Sequence, residues 1–545
     1  MLVRWVAVAM ILLVPTAPGL AATVADHLAL QLRSGPTIAT TDRQVESLAI
    51  LEGFYAGRGM APLWIEATGV TPRGRQVAGI LAAADGDGLR PDDYAVPAVA
   101  ALLAARGPDR LAELEVRLSL GLMLLIADLG QGRTTPHVAD PGLFLYRDEV
   151  DRRLAMEGVG EADDLPAFVD RYRPQAPIYA RLRTALADYR RLAEGGGWAA
   201  IPGGPSLKPG MTDQRVALIR RRLRLWGELA ATEASGGPAG DLAGDPERYD
   251  DALVDAVKRM QARHGLDPDG IVGRKTLGAL NLPVETRIGS IVLNLERLRW
   301  MPDDLGRRHV FVNLADFRLT YADDGDAAFD TRVIVGEPYH RTPVFSSAMT
   351  HVVFNPDWTV PQSIARRLLL PQIKADPGFL ARNNYTLFSD WTADATVVDP
   401  AMVDWSQVSA ERFSFKLRQS SGPGNALGRV KFLLPNRFDV YLHDTSARQL
   451  FGKTERSLSN GCIRIEHSER LAELILADAE TWSMRRIEET IAGGRTTFVK
   501  LPESIPVHIG YLTAWVDAEG AVQFRKDIYQ RDLAVADALV SRSVD

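Results

Sequence analysis

Cysteine is nearly absent: Cys462 is the only one in 545 residues. No disulfide can form within the chain, so packing alone must hold it together. There is no HExxH string and no paired Cys/His spacing, so neither a metal centre nor a cofactor is legible. A G-x-S-x-G elbow for a serine nucleophile is missing too. Long apolar runs are also scarce, and beyond the first residues none approaches the roughly 20 that a membrane-spanning helix needs. The formal net charge is only −6, which argues against a protein built around nucleic acid while leaving room for a local basic cleft.

What is present describes a soluble chain too long for one core, with length for roughly three to four domains. Arg4, the apolar run Trp5–Val14, the breakers Pro15 and Pro18, and the small residues Gly19, Ala21 and Ala22 have the layout of a secretory signal peptide over residues 1–22. The expectation is export to the periplasm, with a membrane anchor if that segment stays uncleaved. An exported protein then carries one unpaired thiol into an oxidising compartment. The ordinary fate of a lone cysteine is a small buried hydrophobe, so its surroundings must decide its use.

Residues 23–200 read as a helical scaffold, with apolar residues at three- and four-residue spacing in Val77–Ala84 and Leu111–Leu129. Residues 206–282 follow a Gly/Pro stretch and read as three short helices. Thr212 and Tyr249–Asp250 open the first two, and Thr276–Leu280 forms the third after the turn at Asp269–Gly273. An acidic, Gly-rich insertion, Ala230–Pro246, interrupts them. The string Ala256, Val257, Gln261, His264–Gly265–Leu266, Asp269–Gly270, Val272–Gly273, Thr276, Leu280–Asn281 resembles a three-helix peptidoglycan-binding repeat, with Met260 where an aromatic is usual. His264 reads as a turn residue serving backbone groups.

From His309 the period changes to two. Strand-like runs cover His309–Ala322, Phe329–Glu337, Thr350–Val360, Arg429–Leu434, Asp439–His443, Thr496–Leu501, Val507–Asp517 and Ala521–Gln530. Residues 305–505 therefore read as a mostly β domain of sandwich or barrel type, and 506–545 as strands and a tail that complete or flank it. The overall class is multidomain α+β. Between 362 and 425 the strand pattern lapses into a helical piece, Ser363–Asn383, and loop-like sequence, which reads as a lid.

The chemistry concentrates in Asn425–Leu476. A thiolate attacks carbonyls well, but a thiol is mostly protonated near neutrality and needs a base or cation beside it. His443 ends a strand, and Cys462 follows nineteen residues later, between Gly461 and the strand-like Ile463–Arg464–Ile465. A strand, a loop and a return strand would bring the two together. Gly461 would let the backbone approach a substrate closely. His340 and His351, near strand ends, read as packed or solvent-capped.

The sequence His443, a spacer, then Ser459–Asn460–Gly461–Cys462–Ile463–Arg464 resembles the L,D-transpeptidase family with a YkuD-type catalytic domain. Its mark is a His followed by [S/T]-x-G-C, a small apolar residue and Asn or Arg. The strings Pro62–Trp64, Gly88–Tyr94, Asp128–Arg133 and the C-terminal Tyr511–Asp517 are similar to the large, three-part YcbB-like branch. The resemblance implies Cys462 as nucleophile and His443 as base, its ring oriented by the Asp444 carbonyl. It implies an oxyanion held by the Gly461 and Cys462 amides and the Tyr441 hydroxyl. Arg464, Ser459 and Asn460 would border the substrate, Arg464 through a carboxylate and Ser459 by bracing the turn. Asn460 stands where the family commonly has His. No metal or cofactor is implied.

The implied partners are peptidoglycan stem peptides: a tetrapeptide donor that loses D-Ala and a diamino-acid acceptor that gives a 3→3 cross-link. Residues 206–282 could hold a glycan strand or serve as a spacer, and carbapenem-type β-lactams are expected to acylate Cys462. The basic residues Arg412, Lys416, Arg418, Arg429, Lys431 and Arg437 could attract anionic stems. Two other readings stay open: the same site releasing its acyl group to water or another acceptor, and a wall-binding scaffold without catalysis.

Overall fold

The computed structural model describes residues 23–33, 38, 41–229, 245–376, 378–476 and 481–541. The signal peptide expected at 1–22 and residues 230–244 of the acidic insertion lie outside the described residues.

The N-terminal unit is helical and wraps one long helix, α1 (Pro108–Gln131). Almost every residue from Leu111 to Gly130 is buried, as expected of a helix apolar all round. Buried Glu115 within it accepts from the Tyr55 hydroxyl at 2.6 Å and the Trp64 amide at 2.9 Å, so its polarity is matched. The separate strings noted in sequence meet here: Tyr94 donates to Asp128 at 2.8 Å, and Arg133 pairs with Asp93 at 3.1 Å.

Three short helices follow: α2 (Gln214–Leu225), α3 (Asp251–Arg263) and α4 (Arg274–Leu280). Asp213, not Thr212, caps α2, because its carboxylate reaches the Arg215 amide at 2.8 Å. Gln261 ties α3 to the following turn, donating to Asp269 and Thr276 and accepting from the Gly270 amide. His264 is stacked between Trp226 and Phe524, with Nδ1 2.7 Å from the Met260 carbonyl. Helix α5 (Val284–Arg299) then leads into the β domain.

That domain is built on ten strands: β1 (Leu143–Phe144), β2 (His309–Asn313), β3 (Arg318–Asp323), β4 (Asp326–Gly336), β5 (Val344–Phe354), β6 (Val430–Leu433), β7 (Leu442–His443), β8 (Ser457–Ser459), β9 (Ile463–Ile465) and β10 (Thr497–Gly510). Their order is β6-β7-β9-β4-β3-β2-β10-β5-β1, with β8 beside β4, and β6 also pairs with β5. That last pairing closes the sheet on itself, leaving only the short strands β1 and β8 at its margins. The mostly β, barrel-like catalytic domain expected from the period-two pattern is present. Two details differ. β1 comes from the helical unit, and β10 runs unbroken through the boundary drawn at 505/506.

The segment expected to be a lid is more structured than its sequence suggests. Strands Trp358–Thr359, Tyr385–Phe388, Val397–Val398 and Lys416–Gln419 form a separate four-stranded sheet. It packs on its own core of Val360, Leu370, Ile373, Leu387, Phe413 and Leu417. These strands are two to four residues long, too short for alternation to register. The helical piece is broken, with a π-turn at Ala365–Leu369 just before Pro371.

Candidate functional site

Alternation along the barrel strands builds the site. Leu442, Ile463 and Ile465 are buried in the core, and β7 pairs parallel with β9 as Leu442↔Ile463 and His443↔Arg464. Successive side chains point to opposite faces. Tyr441, His443, Cys462 and Arg464 therefore share the outward face. On β6, Val430 and Phe432 enter the core, which turns Lys431 outward, directly opposite His443. Lys431, His443 and Arg464 form a row across three strands, with Tyr441 and Cys462 one step along.

The loop before Cys462 is held from both sides. Gly461 has φ 117°, a conformation that a side chain would strain. Buried Ser459 donates its hydroxyl to the Cys462 carbonyl at 2.5 Å and accepts the Gly461 amide at 3.1 Å. Thr342 donates to the Gly461 carbonyl at 2.8 Å, and the Glu337 amide donates to the Ser459 carbonyl at 2.9 Å. Tyr529, from the C-terminal segment, steadies that neighbour by donating to the Gly336 carbonyl at 2.6 Å. Thr342 and Tyr529 carry no signal in a single sequence, because each acts through a backbone group far along the chain.

The Cys462 sulfur is partly exposed. It donates toward the Asp439 carbonyl at 3.7 Å and accepts from the Tyr441 hydroxyl and amide. Burial pushes the thiol pKa up, while Tyr441, Lys431 and Arg464 pull against it. His443 is buried, with Nδ1 2.5 Å from the Asp444 carbonyl and the Leu427 carbonyl also hydrogen-bonded to the ring. Its burial, then the Arg464 charge, push its pKa down to about 3. The imidazole is neutral at any ordinary pH. The Asp444 carboxylate accepts from the Arg429 amide at 2.9 Å and from Arg448 at 3.0 Å. The Trp358 indole, where the capping sheet begins, hydrogen-bonds the Tyr441 hydroxyl.

Tyr441, His443, Cys462 and Arg464 therefore fall on one patch, with Ser459, Asn460 and Gly461 in the loop beside it. The sulfur's own hydrogen bond runs to Asp439, and His443 lies diagonally across the strand pair from it. Ser459 braces the turn, its hydroxyl bonded to the loop backbone on either side. The Gly461 amide is taken by Ser459, which leaves the Cys462 amide and the Tyr441 hydroxyl as candidate donors beside the sulfur. Asn460 accepts from Arg367 of the capping segment. The Arg464 Nε is buried without a hydrogen-bond partner among the described residues.

Comparison with known proteins matches a family to each of the three units. Residues 307–499 match the YkuD family, described as the L,D-transpeptidase catalytic domain. Residues 212–280 match a "Putative peptidoglycan binding domain" and 49–186 a scaffold domain. A protein of Haemophilus influenzae (strain ATCC 51907 / DSM 11121 / KW20 / Rd), named "Putative L,D-transpeptidase", is 37% identical over 264 residues, 48% of this chain and 52% of that one. The chain thus spans about half the length of that relative. Solved L,D-transpeptidases from Xylanimonas cellulosilytica and Stackebrandtia nassauensis are 14% and 13% identical, cover 56% and 57% of this chain and 98% and 95% of their own, and have TM-scores of 0.19 and 0.21. Overlaps that low add nothing to the assignment. The family matches do: residues 307–499 are similar to the L,D-transpeptidase catalytic domain, and the segments before them are similar to a scaffold domain and to a domain of the peptidoglycan-binding type.

Proposed function

We propose that this protein is an exported peptidoglycan L,D-transpeptidase that forms 3→3 cross-links through a thioester on Cys462. The observation that carries the reading is the outward patch itself. A partly exposed thiol shares a strand face with a neutral imidazole whose Nδ1 is already committed to a carbonyl, on a domain of this family.

The reaction follows from the groups present. Rotation about the Cys462 Cα–Cβ bond swings the sulfur from Asp439 toward His443 and the substrate. His443 takes the thiol proton as the sulfur attacks the carbonyl at the L-centre of the donor's third residue. The Cys462 amide and the Tyr441 hydroxyl stabilise the oxyanion. His443 then returns the proton to the departing D-Ala amine, and a thioester remains. The side-chain amine of a second stem attacks, its proton passes to His443, and the thiolate leaves. Arg464, with its unmatched Nε, is suited to a substrate carboxylate.

A base with so low a pKa is weak, so thiol and imidazole rest as a neutral pair and the proton moves only with the attack. The capping sheet, joined to the catalytic loop through Arg367 and Asn460, would shield the thioester from water until the amine arrives. The three-helix domain meets the β domain through the stacked Trp226, His264 and Phe524, a contact that favours a fixed spacer or platform.

Intact-mass measurement after mixing with a tetrapeptide donor or a carbapenem tests the reading. The expected adduct sits on Cys462, is lost in Cys462→Ala, and forms far more slowly in His443→Gln. A folded protein that acquires no adduct from either reagent is instead a wall-binding scaffold. An acyl-enzyme that releases only tripeptide in the presence of acceptor marks a carboxypeptidase.

A further inference from the structure

The catalytic reading leaves Lys431 without a task, and its placement is unusual. Its neighbours Val430 and Phe432 are fully buried, so β6 fixes the direction of its side chain. It lies opposite His443 in register, and its ammonium stands 3.7 Å from the centroid of the Tyr441 ring. Among the described residues no carboxylate forms an ion pair with it. A half-buried ammonium held by an aromatic face alone is costly to keep unless its charge is used. Tyr441 directs both its hydroxyl and its amide at the Cys462 sulfur. The ring that seats the ammonium is thus the ring that touches the sulfur.

We propose that Lys431 is a positioning residue that stabilises the Cys462 thiolate through space, with the Tyr441 ring as its seat. The inference rests on Cys462 being the nucleophile. In many thiol enzymes a charged imidazole does this work, but here His443 is buried between two cations, Lys431 and Arg464, and cannot hold a resting charge. The Lys431 ammonium removes that need: burial pulls its pKa down, and the Cys462 charge it faces pulls it back up. Burial first, then the Arg464 and Lys431 charges, keep His443 neutral, so the imidazole is free to accept the proton that leaves sulfur. Besides Lys431, the groups acting on the sulfur are Tyr441, just before β7, and Arg464 on β9; His443 on β7 lies diagonally across, Asp439 before β7 acts on Tyr441, and Glu337 after β4 acts through Arg464. Of these, Arg464 is the other cation, and its fork is the group suited to a substrate carboxylate. The division assigns sulfur to Lys431 and substrate to Arg464.

The test reads the sulfur directly and needs no peptide substrate. The alkylation rate of Cys462 by iodoacetamide is followed against pH by intact mass in wild type, Lys431→Met, Lys431→Gln and Lys431→Arg. Loss of the ammonium should move the inflection up by about one pH unit, so alkylation near neutrality slows roughly tenfold. Lys431→Arg should stay near wild type. If Lys431→Met does not fold, Lys431→Gln decides. Superimposable profiles in a folded neutral variant overturn the proposal. A raised KM for peptide with an unmoved alkylation profile does the same and assigns Lys431 to substrate. Failure of Cys462 to form any acyl-enzyme is a separate result, since alkylation reports on the thiol whether or not the enzyme turns over.

Discussion

Ser459 holds Cys462 from three residues away: its buried hydroxyl donates to the Cys462 carbonyl at 2.5 Å while accepting the Gly461 amide. One side chain thereby sets the turn on which the nucleophile stands. Ser459→Ala leaves a part-buried amide and a carbonyl unmatched, which costs about 1–3 kcal/mol. The expected result is a lower denaturation midpoint together with slower acylation of Cys462. Unchanged acylation in a destabilised variant would mean that the turn keeps its shape without the hydroxyl.

His443 couples stability to pH. Its folded pKa, pushed down to about 3, lies below the ordinary value of 6.5. Between those values the unfolded chain holds more protons at this site than the folded one, so stability rises with pH across that window. The contribution is complete above pH 6.5 and is lost as pH falls toward 3, with a slope near 1.4 kcal/mol per pH unit. His443→Gln removes this slope while keeping a polar ring-sized group. Denaturant titrations at several pH values should show a flatter acid limb in the variant. Parallel limbs would show that the imidazole is not buried in its neutral form.

Arg367 links the capping segment to the catalytic loop through Asn460. If that segment shields the thioester, Arg367→Ala should shift the fate of the acyl-enzyme from amine to water. The ratio of hydrolysed tripeptide to cross-linked dimer, measured at fixed acceptor, should rise several-fold with little change in the acylation rate. Because exposed polar links contribute only modestly to stability, the melting temperature should hardly move. An unchanged product ratio would leave the capping sheet without a gating role through this contact.

The sequence carried the patch but not its internal order. The period-two pattern marks most of the strands, and the string around Gly461–Cys462 marks the candidate nucleophile, because strand alternation and a required glycine leave local marks. Cross-strand register leaves none. Nothing in a single sequence places Lys431 opposite His443, or shows that the long strand β10 closes over the boundary at 505/506. The capping sheet stayed hidden because its strands are too short to alternate visibly. The position of Ser459 beside Cys462 suggests a brace for the turn, but only the fold shows which backbone groups its hydroxyl meets. Residues that act through main-chain atoms, such as Thr342 and Tyr529, are the ones single-sequence reasoning passes over.

The central claim is that the Cys462 sulfur carries the acyl group between stems. Muropeptide analysis of cells whose only copy of this protein is Cys462→Ala tests it most directly. The account predicts that 3→3 dimers disappear while the variant accumulates as a folded protein. Dimers at the wild-type level, with the folded variant as their only possible source, would contradict it.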